Sequence, residues 1–160
     1  MLLLDIKSEL EAYAWAMIEK YDLHEEWIFR WNSRKNAFGI CNHSLKTIEL
    51  SSYMVDCGES LESMKGTVLH EIAHALTPGD HHGPKWQAKM LEFGLEPNAK
   101  RRAEGAVFEY KWYRVCNECG RKTGYHRKPS SKKRRSCGVC CPTHFNTKYE
   151  LVVKKASELE

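Results

Sequence analysis

His70 and His74 stand four residues apart with Glu71 directly after the first, inside the run "HEIAHALTPGDHHGPKW" from His70 to Trp86. On a helix, residues at this spacing project from one face about one turn apart, so the two imidazoles can grip a single ion. A carboxylate beside the first ligand can lean towards water at that ion without taking a coordination position. The chemistry that fits is metal-assisted hydrolysis, in which zinc lowers the pKa of water towards neutrality and the glutamate takes its proton. Two imidazoles leave the arrangement one short, because catalytic zinc keeps three protein ligands and one open position. After "ALTPGD" the chain presents His81 and His82, of which one is expected to bind. His82 is favoured, since Gly83 allows an unusual backbone angle beside it and Pro84 begins a helix that anchors it. Histidines also gather at helix C-termini, where a cation complements the dipole. The glutamate, the apolar helix and the downstream His-Gly favour a metal site over that alternative.

A second ligand set lies further on. Cys116-x-x-Cys119 and Cys137-x-x-Cys140 are separated by 17 residues, a spacing that suits a structural zinc closed by four thiolates. Gly120 and Gly138 suit the tight turns that aim two sulfurs at one ion, and Cys141 is an alternative to Cys140 as the fourth ligand. A redox reading is weak, because neither pair opens a helix after a strand. Cys41 and Cys57 have no spaced partner and are expected to pack as small buried side chains. Seven cysteines, an odd number, with four paired in this way argue for a reducing compartment and metal rather than disulfides.

The formal charge of +4 is unevenly distributed. Residues 1–110 carry 12 Lys/Arg against 17 Asp/Glu, whereas residues 111–135 carry 10 against 1. That basic block holds Arg121, Lys122, Arg127, Lys128, Lys132, Lys133, Arg134 and Arg135, with Trp112, Tyr113, Tyr125, His126 and Phe145 around it. Cations neutralise phosphates and aromatic faces stack on unpaired bases, so a DNA partner is expected, single-stranded or distorted, contacted by these cations and Tyr125. Nothing indicates base-specific readout.

The elements that must position these residues follow from periodicity. Ile6, Leu10, Tyr13, Ala14, Met17, Ile18 and Tyr21 recur at steps of three and four, which predicts an amphipathic helix over 5–21. "WIFRWN", "AFGIC" and "KTIEL" read as strands of a small antiparallel sheet. A helix is predicted over 60–76, with Leu61, Met64, Val68, Leu69, Ile72, Ala73 and Leu76 as its buried stripe, ended before Pro78. Another should start at Pro84 and stop at Gly94, and "EPNAKRRAEG" reads as a short helix or linker. Beyond Lys111, small β-hairpins built on metal are expected, and "HRKPSSKKRRS" is polar enough to be a mobile loop. The mean hydropathy of −0.59 is that of a soluble globular protein, and "MLLLDIKSEL" is too short an apolar run for an export signal or membrane span. A cytoplasmic monomer is expected, nucleoid-associated in a bacterial cell.

Together, "TIELSSYMV", "MKGTVLHEIAHAL" and "HHGPKW", followed by the paired cysteines, resemble the SprT-like zinc metalloproteases, which include bacterial SprT and the DNA-dependent protease Spartan. The resemblance covers most of the chain. It implies an α+β fold, with a zincin-like helical core over 1–110 and a β zinc ribbon over 111–155. It also implies His70, His74 and His82 as ligands of a catalytic zinc, Glu71 as the base, and a structural zinc on Cys116, Cys119, Cys137 and Cys140. The activity implied is cleavage of proteins bound or crosslinked to DNA, stimulated by DNA at the ribbon. The interval from His74 to His82 is short, with none of the insertion found in Spartan. The residues alone leave open a different reading, a nucleic-acid-binding adaptor whose histidine site is idle, as well as a metal hydrolase for non-protein substrates.

Overall fold

The computed structural model describes residues 3–98, 108–130 and 132–159. The chain has an α+β fold and divides into two compact units, Met1–Val107 and Phe108–Glu160.

The first unit is built from α1 (Leu3–Lys20), β1 (Ile28–Asn32), β2 (Gly39–Asn42), β3 (Thr47–Ser51), α2 (Ser52–Asp56), α3 (Leu61–Leu76) and α4 (Pro84–Glu92). The sheet order is β1-β3-β2. β2 and β3 form the expected antiparallel pair, with Ile40 opposite Glu49. β1 instead runs parallel to β3, with Phe29 opposite Ile48, so the sheet is mixed where an antiparallel one was expected. β3, with Ile48 and Leu50 fully enclosed, lies between the other two strands; the chain reverses from β1 to β2 and again from β2 to β3, so β3 runs parallel to β1. β2 is left at an edge.

One core joins the layers. Leu10, Ala14 and Ile18 of α1 meet Trp27, Phe29, Ile48, Leu50 and Met54, and Met64, Val68 and Ile72 of α3 complete it. The helix expected over 60–76 is α3, with Ser60 as its N-cap accepting the Ser63 amide at 3.2 Å. "SYMV" does not continue the strand: the Ser51 hydroxyl accepts the Tyr53 amide and starts α2 there. α4 begins at Pro84 and ends ahead of Gly94, whose φ of 74° is a left-handed backbone that suits glycine. A smaller cluster, Ala73 with Trp86 and Met90, packs α4 on α3. Most of "EPNAKRRAEG" lies outside the described residues.

The second unit carries β4 (Trp112–Val115), β5 (Lys122–Tyr125) and β6 (Val152–Lys155) in the order β5-β4-β6, all antiparallel. Its buried residues are few, chiefly Val115, Cys116, Cys137, Cys141 and Arg114. Among the described residues no helix is long and apolar enough to cross a membrane.

Candidate active site and metal centres

α3 presents His70 and His74 from one face, and the turn after it brings His82 to the same point. The three Nε2 atoms are mutually 3.3 Å (His70–His74), 3.1 Å (His74–His82) and 3.3 Å (His70–His82) apart. Nitrogens held at about 2.0–2.1 Å by a tetrahedral ion lie about 3.3–3.4 Å from one another, so the triangle fits three corners of such a site and leaves the fourth open. His81 is exposed and takes no part in this group.

The loop that selects His82 works differently from the sequence expectation. Gly83 has φ −76°, an angle open to any residue; the left-handed residue is His81, at φ 53°. Glycine is needed at 83 for space, since a Cβ there would come within 2.8 Å of the Asp80 carbonyl and 2.9 Å of its Oδ2. Asp80 is the anchor that sequence reasoning missed. Its carbonyl accepts the Gly83 amide at 2.8 Å and its Oδ2 accepts the Trp86 amide at 2.9 Å, which ties the His82 turn to the first turn of α4. An aspartate six residues before a tryptophan carries no pattern of its own; only the intervening Gly-Pro hinted at a cap.

Trp86 is fully buried beneath all three imidazoles. Its ring centroid lies 4.8 Å from His70, 5.5 Å from His74 and 4.6 Å from His82, nearly parallel to His74 and edge-on to the others. Ala73, directly before His74, is small enough to let it in. Burial first, then the neighbouring His82, His43 and His81, lower the His74 pKa to about 4, so this ring stays neutral and available as a ligand at neutral pH.

Glu71 is 6% exposed and points at the edge strand β2. Burial pushes its carboxyl up to about 8, against the smaller lowering effect of a backbone hydrogen bond from Cys41. The group can therefore hold a proton at neutral pH without an ion nearby. Cys41 itself is half-buried, its Sγ 3.7 Å from His43 Nε2, and burial followed by the Glu71 charge pushes its thiol up to about 12. Cys57 is buried and donates to the Met54 carbonyl at 3.4 Å.

In the second unit the sulfurs of Cys116, Cys119, Cys137 and Cys140 all lie within 4.8 Å of one another, with Cys116–Cys140 at 3.9 Å and Cys119–Cys137 at 3.6 Å. Thiolates at about 2.3 Å from a tetrahedral zinc are about 3.8 Å apart, so the group fits a closed shell. Two matched turns build it. The Gly120 amide donates to the Cys116 carbonyl at 2.9 Å, and the Cys141 amide to the Cys137 carbonyl at 2.8 Å. Gly120 has a left-handed φ of 70°; Gly138 has no such backbone and is not the counterpart of Gly120. That place belongs to Cys141, whose sulfur faces His144 Nε2 at 3.6 Å and lies outside the four-sulfur group.

Arg121, Lys122, Arg127, Lys128, Lys132, Lys133, Arg134 and Arg135 are all exposed, and Tyr125 is half-buried. Two of the cations are already engaged. Arg134 grips Glu150 through Nε at 2.8 Å and a second nitrogen at 2.6 Å, and Lys128 sits 5.1 Å over the Trp112 ring. The described part of "HRKPSSKKRRS" has two backbone tethers. Buried Arg114 donates to the carbonyls of Ser130 at 3.2 Å and Lys133 at 3.1 Å and reaches the Tyr125 ring at 5.9 Å. Arg114 was not singled out in the sequence because its alternation with Tyr113 and Val115 reads simply as strand.

A crystal structure of the metallopeptidase zymogen of Methanocaldococcus jannaschii jannalysin is similar to this chain at 18% identity, with a TM-score of 0.46, over 52% of this chain and 80% of that one. Comparison with curated protein sequences finds no match. The SprT-like family model matches residues 9–104, which spans α3, the His82 turn, α4 and the sheet beside them. With more than half of its length matched, the chain belongs to the SprT-like family.

Proposed function

We propose that the chain is a zinc-dependent endopeptidase that acts on proteins bound or crosslinked to DNA and is stimulated by DNA held at the cysteine unit. The observation that carries the catalytic half is the convergence of three imidazole nitrogens with a buried carboxyl on the residue after the first of them. His70, His74 and His82 would hold zinc, which when bound supplies a Lewis acid and a water of near-neutral pKa. Glu71 takes a proton from the attacking water and returns it to the leaving amine. Asp80 and Trp86 keep the imidazoles aimed.

Support for the DNA half comes from the basic surface. Lys132, Lys133 and Arg135 are exposed, and Arg114 holds the backbone that carries them. Cations spaced along a fixed loop neutralise a phosphate backbone without reading its sequence. Dependence on DNA would confine cleavage to proteins held near it.

Wild type and Glu71→Gln are compared on a protein–DNA crosslink with single-stranded, double-stranded and no DNA. Wild type should cleave, fastest with single-stranded DNA, and Glu71→Gln should be slower by roughly 10²–10⁴-fold. Equal rates for the two proteins would end the catalytic reading, and cleavage indifferent to DNA would end the other half.

A further inference from the structure

β2 is an edge strand, and the alternation of its ladder with β3 decides which of its backbone groups face outwards. The Ser51 amide donates to the Phe38 carbonyl at 2.8 Å, and Ile40 and Asn42 stand opposite Glu49 and Thr47 in the same phase. The backbone groups of Phe38, Ile40 and Asn42 therefore face β3, and those of Gly39 and Cys41 face away from it. The side chain that comes to this outer edge is Glu71. Cys41 supplies it with a backbone hydrogen bond. Against Gly39 the fit is closer still: a Cβ built there would lie 2.7 Å from Glu71 Cγ and 2.9 Å from its Cδ.

Gly39 does not have a left-handed backbone, so alanine would meet no backbone strain there and the only obstacle is space. Cγ lies mid-chain, so rotating the carboxylate alone does not relieve the overlap; the whole side chain has to move. It has little room, being buried between α3 and the strand.

We infer that Gly39 is a positioning residue for Glu71: the missing side chain at 39 and the outward amide of Cys41 together form a seat on the β2 edge that fixes where the carboxylate lies relative to the histidine triad. The inference rests on the proposed role of Glu71 as the base. It assigns the outer edge of β2 a task in catalysis.

The test uses the full-length, zinc-loaded chain, with labelled casein and a single-stranded oligonucleotide as probe substrate and activator. Gly39→Ala should lower kcat by roughly 10–100-fold, the scale of a misplaced catalytic group, while KM and zinc content stay at wild-type values. Thermal unfolding supplies the second readout. Gly39→Ala should lower Tm by about 2–8 °C in the wild-type background and leave it unchanged in a Glu71→Ala background, where the seat is empty. Wild-type kcat in Gly39→Ala, or the same Tm loss in both backgrounds, would overturn the inference. If wild type fails to cleave casein, the protease reading loses its support, and the dependence of the Tm loss on Glu71 still decides whether the seat exists.

Discussion

The histidine triad and the cysteine cluster bring donor atoms to nearly the same spacing by opposite means. The triad is a product of its surroundings: α3 runs against the main core, Trp86 lies beneath the rings, and Asp80 fastens the turn that delivers His82. The cysteine unit has little apolar interior, and its two turns and three short strands close around the sulfurs themselves. One fold arranges donors that could hold an ion; the other would be held together by one. The difference matches the two ligand sets, since three imidazoles leave a position for chemistry and four thiolates leave none.

That contrast is open to experiment, most forcefully by taking metal away. A chelator strong enough to strip both sites should unfold the Phe108–Glu160 unit, for which structural zinc is worth on the order of 10 kcal/mol, and leave α1, α3 and the mixed sheet folded. Residue-resolved hydrogen exchange would show it, and protection lost first from α3 would reverse the comparison. A milder break goes through the anchor. Asp80→Ala should weaken zinc at the histidine site by roughly 10–100-fold and leave the cysteine site untouched, as read by competition with a chromophoric chelator. His81→Ala, at an exposed position outside the ligand group, should change neither.

The pH dependence of stability sharpens the same point. Glu71 has its folded pKa raised from 4.5 to about 8, so the folded state holds a proton that the unfolded chain has lost across that window. Metal-free wild type should therefore lose stability relative to Glu71→Gln as pH rises from 4.5 to 8, a slope measurable by urea titration at several pH values. A flat difference would mean that the carboxyl is not buried as described. The smallest effect belongs to the basic loop. Lys133→Ala should weaken binding of a single-stranded oligonucleotide a few-fold and reduce its salt slope by about 0.7. Arg134→Ala should change both less, because its guanidinium is spent on Glu150. Fluorescence anisotropy across a salt series separates the two.

What the sequence disclosed about this site follows the reach of local rules. The ends of α3, the start of α4 at Pro84 and the pairing of cysteines are set by residues within one turn of each other, and they could be read directly. The spacing of His70, Glu71 and His74 is likewise a property of one helix. The parallel partner of β3 is not, because it depends on which strand lies between the other two. Gly83 and Gly39 mark the limit most clearly. A glycine in a sequence suggests backbone freedom, yet both residues are required for what presses against them, Asp80 in one case and Glu71 in the other. Close approach between distant elements leaves no periodic trace. Cys140 is favoured over Cys141 by the Cys-x-x-Cys spacing, a local rule, and Cys141 takes the place of Gly120 in the second turn.

The indole of Trp86 has a consequence for how an ion is received. With the indole packed on all three imidazoles, each is blocked on that side, so part of their rotational freedom is given up when the chain folds rather than when metal arrives. An incoming ion would find the three nitrogens already within 3.3 Å of one another, with part of the entropy of ordering them spent in advance.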